Sequence, residues 1–369
     1  MDMTVTSQNF TSAASHQWAT RPDDERFVSL DAMQDALDAS RSYSKARVVS
    51  SHDLICRPIE NDAKGIAVEG PGGAAVFPTH WAFGQLAQRA GAPVGYLRDL
   101  PAPLAADCIN DGIARRSREN LGVMLYKNGG APELRAVTGP SYGRVWNTDI
   151  VRALRGRFGD GVTGAFRVPG EFGHAVEVTK ANTTLYASDR DMFVFLADEQ
   201  NRITVPNRRD GKSGDMARGF FVWNSETGKT TLGIATFLFD YVCCNRMIWG
   251  ADGYQEIRVR HSSGAPGRWI DEVAPAIERY AQSSTAGIIK AIADAKAARI
   301  ENVPEFLATR FAKAQAEAIA LAHIADEGRP IESLWDAATG ITAYARGYAN
   351  QDARVEIERQ AGKILAMAA

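Results

Sequence analysis

The sequence predicts an α+β protein: a β-rich antiparallel central body with helices, followed by a helical C-terminal region. Three observations predict it. The middle third alternates apolar and polar residues between Gly- and Asn-containing turns, the mark of half-buried strands. Two of its runs, Leu121–Lys127 and Glu133–Thr138, flank Asn128-Gly129-Gly130, a strong hairpin signal. From Ile270 onward the apolar residues switch to helical spacing, as in Ile270, Val273, Ile277 and Tyr280.

Residues 1–26 are polar and rich in Ser and Thr, and are expected to form a flexible arm. They lack a basic start followed by an apolar run, so no signal peptide is expected. Residues 27–118 read as a mixed α/β part. Ser29 stands as an N-cap ahead of Leu30, Met33 and Leu37 at helical spacing. Arg47–Ile59 and Ile66–Phe77 are expected as short strands around a loop with Asn61-Asp62 and Gly65. Thr79 caps a helix from His80 to about Ala90, which Gly91 ends. A further helix follows Pro103 and ends near Arg118.

Residues 119–268 form the β-rich body. Gly139–Gly143 is a turn, and Asn147 or Thr148 caps a helix carrying Ile150, Val151, Leu154 and Phe158. Strands are expected at Phe166–Val168, Ala175–Thr179, Met192–Leu196, Phe220–Trp223 and Thr230–Leu238. Between the third and fourth of these runs lies a polar, net positive loop, Asn207–Gly214. It reads as a mobile binding loop or as a solvated hairpin tip. Residues 269–369 are helical. After the Ile270 and Ile288 stripes, Pro304 opens a helix with Phe306, Leu307, Phe311, Ile319 and Ile324, Pro330 opens another, and Asn350 caps the last.

The chain has 369 residues, of which 45% are hydrophobic and 23% charged, enough for a sizeable core. Its net charge of −2 and pI of about 6.3 are not those of a generic nucleic-acid binder, which is usually basic. Local cationic clusters still suit phosphates. None of the four cysteines lies in a C-x-x-C pair, and the six histidines do not bracket them at zinc spacing. A reduced, cytoplasmic protein without a metal is expected, with Cys243 and Cys244 as small buried residues. No run is long enough to span a bilayer, so no membrane partner is expected.

No Walker sequence and no G-x-G-x-x-G after a strand is present, so the usual phosphate cradles of nucleotide enzymes are missing. No histidine neighbours the Cys243-Cys244 thiols to activate them. His174 and His261 with Glu177 or Glu256 have no metal-ligand spacing, and Glu171, Glu177, Asp189 and Asp191 are scattered carboxylates. No catalytic residue and no cofactor is assigned. The cations and rings are more suggestive. Arg135, Tyr142, Arg144 and Trp146 lie close in sequence. Arg208, Arg209 and Lys212 sit in the central loop. Arg258 and Arg260 share one face of a strand by its period of two. Taken singly, Tyr142 and Trp146 read as core residues and the arginines as partners of the 44 acidic residues. Taken together, they have the pattern that single-stranded nucleic acid requires: cations for the backbone and rings for stacking.

The stretch Leu134–Asn147 resembles the "R-A-x-x-S-x-x-Y-x-x-x-x-N" block of the family called domain of unknown function 932, the phage/plasmid-like proteins. Asn224-Ser225-Glu226-Thr227-Gly228 is similar to that family's "N-S-E-x-G", Cys243-Cys244-Asn245 to its "C-x-N", and Arg260-His261 to its "R-H". Phe83–Asn110, with Gly91-Ala92-Pro93 and Tyr96-Leu97, also looks familial, so the resemblance covers roughly residues 80–345. Gly139-Pro140 stands where many relatives carry Ser-Asp, so no role for a hydroxyl or carboxylate carries over there. The resemblance implies a home on mobile elements and no established activity. Proteins in such company often handle DNA in transfer, replication or recombination. The α+β reading is compatible with phage single-strand annealing proteins, an analogy of fold alone.

The leading expectation is a cytoplasmic protein that binds single-stranded DNA, with strand annealing or recombination as the implied task. Arg135, Arg144, Arg208, Arg209, Lys212, Arg258 and Arg260 would contact phosphates, and Tyr142 and Trp146 would offer stacking faces. The Ala-rich helical tail is expected to support a homo-oligomer. The alternatives are a protein-interaction or anti-defence module acting on a host protein, and an enzyme of unrecognised type.

Overall fold

The hairpin around Asn128-Gly129-Gly130 lies at the middle of the first of two sheets, with Gly129 in the left-handed region at φ 68°. A computed structural model describes residues 21–169, 177–181, 183–206, 208, 211–240, 245–247, 256–348 and 351–368. β1 (Arg26–Phe27) belongs to the second sheet, and α1 (Leu30–Tyr43) follows it, capped by the Ser29 hydroxyl on the Ala32 N–H. The first sheet then takes β2 (Ser44–Ser50), β3 (Ile55–Pro58), β4 (Ile66–Glu69), β5 (Ala75–Pro78), β6 (Asn120–Tyr126) and β7 (Glu133–Thr138) in the spatial order β2-β6-β7-β5-β4-β3. Its strands come from both sides of residue 118. β5 and β7 run parallel, and the helices between them supply the crossover that a parallel pair requires.

Those helices are α2 (His80–Ala90), α3 (Val94–Asp99) and α4 (Ala102–Ala114). They cover one face of the first sheet. Leu86 and Ile109 pack there against Leu121, Val123 and Leu134, each fully buried side chain of this size contributing about 1.5–3 kcal/mol. The start and end of α2 are as its sequence signals: the Thr79 hydroxyl accepts the Ala82 N–H at 3.2 Å, and Gly91 is left-handed at φ 74°.

α5 (Asn147–Phe158) and α1 pack together on the second sheet. That sheet is antiparallel and contains β8 (Phe166–Arg167), β9 (Leu185–Ala187), β10 (Met192–Asp198), β11 (Ile203–Val205), β12 (Gly214–Asn224), β13 (Leu232–Asp240), β14 (Asn245–Met247) and β15 (Glu256–Val259), with β1 at one edge. Alternation splits its apolar residues between two faces. Val194, Leu196, Phe220, Val222 and Ile234 face α1, α5 and α6 (Ala274–Gln282). Phe193, Phe195, Phe221, Trp223 and Phe237 form an aromatic cluster. Gly233 is required under Trp223, because a Cβ there would stand 2.0 Å from the indole Cζ2.

The C-terminal helices are α7 (Ala286–Ala297), α8 (Val303–Ala308), α9 (Lys313–Glu327), α10 (Leu334–Ala345) and α11 (Gln351–Leu365). They form one core with Ile203, Val205, Met216 and Leu238 of the second sheet, around the fully buried Trp335. The tail thus packs on the body. No described helix is long and apolar enough to cross a membrane.

Several expected boundaries differ. The helix expected from Pro304 breaks between Ala308 and Lys313 into two. The helix expected from Pro330 starts at Leu334, because Ser333 and Asp336 form a reciprocal cap: Asp336 N–H to the Ser333 hydroxyl at 3.2 Å, Ser333 N–H to the Asp336 carboxylate at 3.1 Å. The helix after Pro103 ends at Ala114. Residues 177–179 of the expected strand Ala175–Thr179 are not strand, and 175–176 lie outside the described residues, as does the expected cap Asn350. Of the expected arm, 1–20 lie outside the described residues. Arg21 is packed, with its guanidinium 3.1 Å from Asp191 and over the Tyr186 ring.

Candidate functional site

Neither expected cap of α5 serves as one. The Asn147 side chain accepts a hydrogen bond from Asn224 at 2.7 Å, and the Thr148 hydroxyl bonds Gln34 and Asp38 of α1. The Glu226 carboxylate takes their place, accepting the Asn147 N–H at 2.7 Å from the turn between β12 and β13. A carboxylate suits the positive end of a helix.

Three arginines surround that end. Arg41, in the last turn of α1, lays its guanidinium 3.6 Å over the Trp146 ring. Arg144 stands 5.6 Å from the same ring and 5.4 Å from Tyr142, with Nη1 3.4 Å from the Met124 sulfur. Arg135 sits beside the bulge between Met124 and Leu125, 3.3 Å over the Tyr126 ring. It also donates to Glu133 at 3.0 Å and to Ser40 at 3.4 Å. All three act on the Glu226 carboxyl. Burial nevertheless dominates there and raises the Glu226 pKa, against the Asn147 N–H and the three positive charges. Burial likewise lowers the Arg144 pKa, while Tyr142 and Glu226 oppose it. Arg41 and Arg144 form no ion pair among the described residues; Arg41 is exposed, while Arg144 is half-buried with one nitrogen on the Met124 sulfur. This cluster lies on the face of the first sheet opposite its helices, where alternation places Met124, Tyr126 and Ala136.

Tyr142 is a support of this site and not a stacking platform. Its ring stacks on His261 at 4.8 Å, and its hydroxyl donates to the Ser225 carbonyl at 2.7 Å. Burial pushes its pKa well above the usual phenol range. The neighbouring Gly143 is pressed against the chain after β15, where a Cβ would come 1.8 Å from the Ser262 carbonyl oxygen.

The other expected phosphate-binding residues separate. Arg208 is 1% exposed and therefore cannot touch a phosphate. Its guanidinium bonds Asp240 at 2.6 Å and Glu327, which ties the central loop to β13 and α9. Arg209 lies outside the described residues, as do Cys243 and Cys244. Lys212 is exposed on the loop before β12. Arg258 is exposed on β15 and lies 5.9 Å from the Trp223 ring, beside the aromatic face of the second sheet. Arg260 is exposed beyond β15, one residue before the His261 carbonyl that accepts the Gly143 N–H. The fold therefore groups Arg135, Arg144 and Trp146, sets Arg260 next to the supporting Tyr142 turn, and leaves Arg208 in the core.

No protein-family model, curated protein or solved structure matches the chain. The likeness to the 932 family rests on its short sequence blocks alone.

Sequence reasoning missed Arg41, Tyr126 and the capping role of Glu226. Tyr126 had a signal, since the hairpin register sets it directly across from Glu133, two residues before Arg135. Arg41 had none, because its approach depends on how α1 packs. Among the described residues, no cluster of His, Cys, Asp and Glu could hold a metal ion.

Proposed function

We propose that the chain binds single-stranded nucleic acid through Arg41, Arg135 and Arg144. The observation that carries this reading is the convergence of three guanidiniums, each on an aromatic face, at one helix N-terminus. Arg41 and Arg144 bind the phosphates, and Arg135, already shared with Glu133, adds to the field. Trp146 is partly exposed and gives the site one ring beside the cations. The resemblance to phage/plasmid-like proteins supports a task on mobile elements, such as strand annealing. The acidic pI opposes DNA at long range, so binding is local and sensitive to salt.

The test is fluorescence anisotropy of a labelled oligothymidylate with the full-length protein across a salt series. Affinity should fall as salt rises. Arg41→Ala with Arg144→Ala should weaken it and reduce the slope by about 0.7 for each phosphate no longer neutralised. A folded sample that shows no binding at low salt ends the proposal.

The protein-interaction reading also has an observation in its favour. α8 and α9 enclose an apolar groove of about 510 Å³, and Leu321 and Ile324 are 67% and 45% exposed further along α9. A failed oligonucleotide titration would move that reading to first place.

A further inference from the structure

A second cleft lies on the helix-covered side of the first sheet, away from the arginine cluster. Its volume is about 380 Å³, within the roughly 300–1,000 Å³ usual for small-molecule sites. Its walls are apolar: Ile66 of β4, Phe77 of β5, Phe83 of α2, Leu97 of α3, Leu100 just after it and Ala105 of α4. Lys64, His80 and Arg98 also line it, and among the described residues no carboxylate does, although Asp189 and Arg190 stand near enough to His80 to act on it.

The three cations are not equivalent. The Lys64 ammonium is spent on the carbonyls that end α3, bonding Arg98 at 3.3 Å, Leu100 at 3.0 Å and Asp99. It contributes charge and has no donor to spare. Arg98 uses one nitrogen on the His80 carbonyl at 3.0 Å, stands 5.9 Å from the Phe83 ring and forms no ion pair among the described residues. The rest of its guanidinium remains for a ligand. His80 is the first residue of α2, so the positive end of that helix adds to the same field.

We infer that this cleft binds a small amphipathic anion, with an apolar body of single-ring or medium-chain size and one carboxylate held by Arg98. An uncharged ligand would gain nothing from the guanidinium of Arg98. A strongly polar ligand would leave the Phe77, Phe83 and Leu97 walls uncovered.

The test uses the full-length protein and isothermal titration calorimetry with sodium octanoate and sodium 3-phenylpropionate as probes. Acetate and 1-octanol serve as comparisons. At least one long carboxylate should bind saturably at one site, and the tighter of the two identifies the body as chain or ring. 1-Octanol should bind roughly tenfold or more weakly, the loss of one charge-assisted hydrogen bond, and acetate not at all. Arg98→Ala should reduce octanoate to the level of 1-octanol with an unchanged melting midpoint. Arg98→Gln, which keeps part of the side chain's length and its polarity without the charge, should show the same loss if Arg98→Ala proves unstable. The proposal is overturned if neither carboxylate saturates, if 1-octanol binds equally well, or if both variants bind like the parent. Saturation with octanoate should leave oligonucleotide binding unchanged, which separates the two sites.

Discussion

The Glu226 carboxylate accepts the backbone N–H of Asn147 at 2.7 Å, across 79 residues of sequence. One side chain thereby caps α5 and stands among Arg41, Arg135 and Arg144. Burial holds its carboxyl above the usual range, so its charge costs stability as pH rises past the ordinary carboxylate value. Glu226→Gln keeps an oxygen for the Asn147 N–H and removes the charge. It should be at least as stable as the parent at neutral pH and should bind oligonucleotides more tightly. Glu226→Ala should lose about 1 kcal/mol with the cap. Urea denaturation and anisotropy read the two effects separately.

Arg208→Ala should be severely destabilising, by about 3–5 kcal/mol, because it removes the cation that the buried Asp240 and Glu327 carboxylates share. Lys212→Ala, four residues on and exposed, should change stability by no more than about 0.5 kcal/mol. Equal midpoints for the two variants in urea would contradict the buried ion triad.

His261 and His323 are both held below the ordinary histidine range. Burial is the main cause for each. For His261 the Gly143 carbonyl opposes it and Arg144 reinforces it. For His323 the Asp336 and Glu327 carboxylates oppose it. With a depressed folded value, the unfolded chain takes up the proton first. The associated stability is complete above about pH 6.5 and is lost as pH falls from there through the folded values. Melting midpoints measured between about pH 7.5 and pH 5.5 should therefore decline, and His261→Gln should flatten the decline.

Cys56 and Cys108 should differ sharply toward iodoacetamide. Cys56 is 2% exposed and burial pushes its thiol up to about 12, whereas Cys108 is exposed on α4. Peptide mapping by mass spectrometry should find Cys108 labelled first in the folded protein, with Cys56 labelled only after denaturant is added.

What was legible in the sequence was local. Thr79 and Gly91 bound α2 because a hydroxyl cap and a left-handed glycine act within one turn of chain. The Asn128-Gly129-Gly130 hairpin and the strands at Met192 and Phe220 followed from turn chemistry and alternation. The misplaced features depend on distant partners. Asn147 and Thr148 look like caps until Asn224 and α1 engage them. Arg208 looks solvated until Asp240 and Glu327, 32 and 119 residues away, enclose it. Arg135 and Arg144 were legible as neighbours because the hairpin and the turn that carry them lie close together, while Arg41 arrives on a separate helix.

The link between Glu226 and Asn147 also bears on synthesis. At roughly 5–20 residues per second, the ribosome reaches Glu226 some 4–16 s after Asn147. Through that interval the nascent α5 has only its own Asp149 at the first turn, and Arg144 emerges without Glu226 beside it. A newly made chain therefore presents Arg144 without its carboxylate neighbour until the turn between β12 and β13 arrives, while Arg135 already has Glu133. Slowing elongation within that stretch should prolong the exposure, and hastening it should shorten it.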